Sequence, residues 1–226
     1  MEWAGWRRGS YSRKVDDENE GSTERFGALM GDFFERIVDV EVSAQDAEAT
    51  ATRMLDWMFS RELLSREMSG DAMYSLGVDE GYLPGPQWHQ IAQEWGGDWI
   101  SGPVAVTIGR EDHFGGQGVG EPEWLSCPSC DTTTVIIDYP QQWVADREVW
   151  RPFEAAVGEW KEGGAGIATC RHCGTGNPVT DWLWPLGSAL GALAFDFWGW
   201  PPLTDEFIAE FAAHLGHRID HHGGKF

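Results

Sequence analysis

Four cysteines carry the clearest chemistry in this chain. Cys127 and Cys130 form one Cys-x-x-Cys pair, CPSCD, and Cys170 and Cys173 form a second, CRHCG. A two-residue gap lets both thiolates of one tight turn face a single ion. Two such turns supply four sulfurs at tetrahedral corners, each about 2.3 Å from zinc. Pro128 stiffens the first turn, and Gly174 permits the positive φ that a knuckle takes after its second ligand. Four protein ligands leave no open position for water, so zinc held this way is structural, one ion per chain. Two disulfides or a redox pair are the competing readings. Neither pair opens a helix after a strand, as thioredoxin-like motifs do, and a reducing compartment disfavours disulfides. His172 lies inside the second knuckle, but four thiolates already close the shell.

The two motifs resemble the CPxC…CxxCG knuckles of zinc ribbons over about residues 125–180. The resemblance implies a structural four-cysteine zinc site with Cys127, Cys130, Cys170 and Cys173 as its ligands. It also allows nucleic-acid binding, which zinc ribbons of transcription and RNA-processing proteins perform. One departure matters: thirty-nine residues separate Cys130 from Cys170, against about 15–20 in compact modules. The ribbon is therefore expected to be woven into the main fold rather than hung from it.

Histidines and carboxylates offer weaker sites. His214, His217, His221 and His222 cluster near the C-terminus with Asp220 among them, as a second metal site, an acid–base pair or a polar surface. Glu111, Asp112 and His113 open a segment with five glycines, Gly109 to Glu123. It reads as a long loop, either a lid carrying a general base or simply a solvated connection. It is no phosphate cradle, because it lacks the Gly-Lys-Ser/Thr ending and no helix follows. Trp182, Trp184, Trp198 and Trp200 stand at i, i+2 spacing, which places each pair on one face of a strand, as core or as a stacking surface.

The elements that position these residues read as follows. Phe33 to Val42 alternates like a half-buried strand, and Ser43 with Asp46 looks like the start of a helix from Ala44 to Leu64. Gln87 to Trp95 reads as a short helix, and Pro103 to Ile108 and Thr132 to Tyr139 as strands. Pro152 suits a first helical turn, followed by Phe153, Ala156, Val157 and Trp160 on one face. Val179 to Trp184 and Ala194 to Trp200 read as strands. Asp205 to Leu215 forms a last helix capped by Gly216, before a short strand at His217 to His222. Irregular alternation of helices and strands predicts an α+β fold: a mixed sheet, a few packed helices and an integrated four-cysteine zinc ribbon.

Residues 1–29 are polar and charged and read as a disordered tail ahead of a single domain over residues 30–226. That N-terminus has no apolar core of a secretory signal, and no stretch reaches the roughly 20 apolar residues of a membrane helix. A cytoplasmic protein is expected. The 226 residues carry 16 Lys+Arg against 37 Asp+Glu, a net charge of -21. That charge disfavours nucleic acid and anionic membranes and favours a basic protein partner. The leading expectation is an acidic, zinc-stabilised interaction module of inhibitor or immunity type. The alternatives are an enzyme with its site near Glu111–His113 or the C-terminal histidines, and a nucleic-acid-binding ribbon.

Overall fold

The computed structural model describes residues 33–75, 77–94, 101–114 and 120–225. The expected N-terminal tail lies outside them. The class is α+β, as the alternation of elements predicts, and the described residues form three α-helices and a six-stranded sheet with two small hairpins. The sheet was expected to be mixed; every strand pairing in it is antiparallel.

Its centre is β9 (Ser188–Trp198), buried at all of its positions. On one side β9 pairs with β1 (Phe33–Asp39), and β1 pairs in turn with β10 (Ile219–Lys225) at the edge. On the other side lie β4 (Val104–Phe114), β3 (Gly81–Pro84) and β2 (Leu64–Ser69). A strand covered on both faces need not alternate, so SALGALAFDFW reads as a continuous apolar run.

Two helices cover the front face. In α1 (Ala47–Ser60), Ala47, Ala51, Met54 and Met58 recur at helical spacing and are buried. Ser43 and Asp46 do bond one another, Oγ to Oδ2 at 2.7 Å, but in the turn before the helix rather than as its cap. In α3 (Asp205–Leu215), the Thr204 hydroxyl accepts from the Phe207 amide, and Gly216 closes the helix at φ 83°. Phe207, Phe211 and Leu215 then meet Ile37, Phe195 and Phe197 of the sheet in one core. Trp57 of α1 stacks on Phe207 with ring centroids 6.0 Å apart.

The back face holds an ion pair between a buried aspartate and a partly buried arginine. Arg36 and Asp196 stand opposite one another on β1 and β9 and bond in the two-pronged geometry, Nε to Oδ1 and Nη2 to Oδ2 at 2.9 Å. The Ser75 hydroxyl donates to the same carboxylate at 2.7 Å and accepts from Trp198 Nε1 at 2.7 Å. Burial works to raise the Asp196 pKa, yet the Arg36 bonds and charge outweigh it and hold the carboxyl low.

Of the segment expected as a loop, Gly109 to Glu123, residues 109–114 are instead the second half of β4, and residues 115–119 lie outside the described residues. Gly109 takes φ 117° where the β4–β9 register shifts, between Ile108 and Glu111. A glycine-borne bulge of this kind bends a strand without ending it. Beyond the shift, pairing resumes from Glu111↔Gly191 to Phe114↔Ser188, which is why polar Glu111 to His113 extend rather than coil. Gly191 packs against β1 so closely that a Cβ there would overlap Val38 Cγ1 and lie 2.7 Å from the Asp39 carbonyl oxygen. Gly191→Ala should therefore destabilise the fold by about 2–3 kcal/mol, lowering the thermal midpoint by roughly 5–10 °C. A midpoint within 1 °C or so of the native chain would show that the approach relaxes freely.

Candidate metal centre

Between β4 and β9 the chain builds a second core. β5 (Trp124–Ser126) pairs with β6 (Thr133–Val135), and β7 (Ile167–Thr169) pairs with β8 (Gly176–Pro178). Between the two hairpins runs α2 (Arg147–Lys161). The helix begins five residues before Pro152, where the Asp146 carboxylate accepts from the amides of Glu148 and Val149. Pro152 thus sits inside the helix rather than opening it. Trp150, Phe153, Val157 and Trp160 pack against Leu125, Ala168, Val179, Trp182 and Leu190. Cys127 and Cys170 are buried members of the same core.

Each cysteine pair forms the turn of one small hairpin, and the two turns are built alike. Cys127 N–H donates to the Thr132 carbonyl at 3.1 Å, and Cys170 N–H to the Thr175 carbonyl at 2.9 Å. The amides of Asp131 and Gly174 donate to the carbonyls of Cys127 and Cys170, each at 2.9 Å. The amides of Ser129 and His172 point at Cys127 Sγ and Cys170 Sγ, each at 3.4 Å. Asp131 takes φ 53° where Gly174 takes φ 76°, and aspartate is among the few residues that tolerate the left-handed region. The sequence signal for this pairing is CPSCDT against CRHCGT, a six-residue repeat in which Asp131 matches Gly174 and Thr132 matches Thr175. Asn177 ties the knuckles together: it accepts from the Ser129 hydroxyl at 2.9 Å and donates to Cys127 Sγ at 3.7 Å.

The four sulfurs lie within 4.8 Å of one another. Across the pairs, Cys127 Sγ is 3.9 Å from Cys173 Sγ and Cys130 Sγ is 3.8 Å from Cys170 Sγ. A tetrahedron with metal–sulfur bonds of about 2.3 Å has edges of roughly 3.8 Å, so the quartet fits a metal ion. Burial pushes the Cys127 thiol up to about 11, while hydrogen bonds from Thr175 draw the exposed Cys173 down to about 6. Metal binding requires all four as thiolates and releases the protons that remain. All four cysteines are free thiols, and among the described residues no other group of three or more ligand atoms converges in this way.

The weaker candidates separate. Lys161 at the end of α2 bonds both Glu111, at 2.5 Å, and Asp112, at 2.7 Å. Arg110 donates to the carbonyls of Trp160 and Gly164 at 2.9 and 3.0 Å. This stretch of β4 thus holds α2 in place. The C-terminal histidines likewise find separate partners. His214 stacks on Trp57 at 4.6 Å, His217 bonds Asp39 at 2.8 Å, and His221 bonds Glu35 at 2.7 Å. His222 bonds Asp220 at 2.7 Å. The tryptophans divide between cores: Trp182 and Trp184 pack around α2, Trp198 on the back of the sheet and Trp200 on its front. Val179 to Trp184, expected as a strand, is a short 3-10 turn followed by a single bridge at Leu183.

No family model, no curated protein and no solved structure matches this chain.

His113 is buried, and its Nε2 has no hydrogen-bond partner among the described residues. Burial, reinforced by the Arg36 charge, lowers its pKa from 6.5 to about 4. It is neutral in the fold, whereas the unfolded chain takes up a proton below about pH 6.5. The stability this supports is present above pH 6.5 and lost as pH falls toward 4. In His113→Gln, the fall in unfolding free energy between pH 6.5 and 4.5 should be smaller by about 2–3 kcal/mol, read from urea titrations. Parallel losses in variant and native chain would contradict a buried neutral imidazole.

Proposed function

We propose that the quartet holds one structural zinc ion. The two matched knuckles then form a zinc ribbon integrated into the fold, and the chain serves as an acidic protein-interaction module of inhibitor or immunity type. The observation that carries the metal reading is the convergence of four free thiols from two equivalent turns. All-thiolate donation selects zinc over oxygen-seeking ions, and a filled shell leaves no position for a reacting water. Zinc here would act as a staple. Free cysteines also agree with a reducing, cytoplasmic setting.

The net charge of -21 supports the interaction reading, because such a field accelerates encounter with a basic protein and repels nucleic acid. The knuckles themselves contribute only Arg171 as a cation, too little for phosphate binding. Described helices include none long and apolar enough to cross a membrane.

Protein purified without added metal should contain one zinc equivalent per chain. Cys170→Ser should lose that metal, and the second core should then melt separately and earlier, since structural zinc is worth about 10–16 kcal/mol in small modules. Metal-free native protein with an unchanged melting profile would overturn the structural role.

With the full chain as bait, a basic protein should form a complex of fixed stoichiometry at low salt, and the affinity should fall steeply by about 0.5 M salt. If no basic protein forms such a complex even at low ionic strength, the interaction reading fails.

A further inference from the structure

The β5–β6 hairpin has one face on the core and one face in solvent. Leu125 and Thr134, opposite one another, point inward and are buried. The outward face carries the other two cross-strand pairs, Trp124 with Val135 and Ser126 with Thr133. A bridge from Ser126 to Leu183 extends this face by one more residue, and Leu183 is 62% exposed. An open cleft of 360 Å³ runs along it, walled by Trp124, Val135, Ile137 and Tyr139. Beside the cleft, Trp143 meets Tyr139 edge-on at 4.9 Å yet remains 74% exposed. An apolar face of this kind, with a tryptophan largely in water, marks a contact surface.

Charge decides what the surface fits. Glu123 and Asp138 line the same cleft, and neither carboxylate has an ion-pair partner among the described residues. The nearby Arg147 is committed to Glu121 at 3.0 Å and to Glu154 at 3.7 Å. Among the described residues no cation lines the cleft. A guanidinium or ammonium placed there would meet carboxylates and the faces of Trp124 and Tyr139 together. Phosphate backbones and a second copy of this acidic face would both be repelled.

Backbone geometry adds a direction. β6 pairs with β5 on one edge, and no described strand pairs with its other edge. An extended segment can add to such an edge, placing alternate side chains alongside the outward face of the hairpin.

From these observations we propose that the outer face of β5–β6 docks an extended, arginine- or lysine-bearing segment of a partner protein, with apolar residues alternating with the cations. The proposal rests on the interaction reading above and names its surface and the chemistry of its partner.

The test uses the full chain, loaded with zinc, and labelled peptides followed by fluorescence anisotropy. One peptide alternates arginine and leucine, and a second alternates glutamate and leucine. The first should bind and the second should not. Glu123→Gln with Asp138→Asn, both exposed, should weaken binding of the first peptide about tenfold or more. Glu67→Gln with Glu80→Gln removes the same charge on the far side of the sheet and should change it less than about twofold. Trp143→Ala should also weaken it while the thermal midpoint stays in place. Equal loss in both charge pairs overturns the groove, because the binding is then diffuse electrostatics, and the interaction reading stands. Failure of the native chain to bind the basic peptide overturns the groove as well; the interaction reading then rests on the bait experiment alone.

Discussion

The convergence of two thiol pairs from opposite ends of a long segment is the constraint on which the middle of this molecule depends. Each knuckle by itself is a two-stranded hairpin with three residues per strand, too small to persist in water. Bringing Cys127 and Cys130 against Cys170 and Cys173 closes a loop that contains α2, and the closure lets α2 pack on both hairpins at once. Trp150, Phe153 and Trp160 then have walls to bury against. Without that closure the same aromatic residues would face an incomplete core. Local geometry prepares it: the amides of Ser129 and His172 already aim at sulfur, and hydrogen bonds of this kind strengthen once the sulfur carries charge.

What the sequence revealed follows from how local each signal was. The cysteine pairs were legible because a two-residue gap fixes geometry within one turn. Likewise α1 and α3 were legible because their apolar residues repeat at helical spacing, and Gly216 closes α3 as its type demands. The missed features are non-local. β2, reading LSREMS, has no alternation of its own and is a strand through pairing with β3. Glu111 to His113 extend because β9 lies beside them, not because of their own preference. Pro152 drew the start of α2 too late, since the cap at Asp146 is a stronger determinant than a tolerated proline. For Trp182, Trp184, Trp198 and Trp200 the spacing allowed core or a stacking surface; which core each joins was not legible, because that depends on the path of the chain between Phe114 and Ser188. The repeat CPSCDT/CRHCGT was present in the letters but short enough to pass for two unrelated turns.

Acidity is distributed unevenly in its effects. Asp196 is neutralised by Arg36 inside the sheet and helps fix the register of β1 on β9. Glu111 and Asp112 are spent on Lys161, and Glu41 on Arg218. Glu123 and Asp138 are different, because their field reaches solvent beside aromatic surface. An acidic protein thus separates carboxylates that hold its own elements together from carboxylates left free to meet another molecule.

The second core enters and leaves the sheet at Phe114 and Ser188, which face one another as register partners. Neighbouring strands stand about 5 Å apart, so everything between these two points departs and returns through one narrow doorway. A segment attached in that manner hangs from a single pair of facing residues, and what sets its seating on the sheet is the grip of β4 on the end of α2, through Lys161 and Arg110.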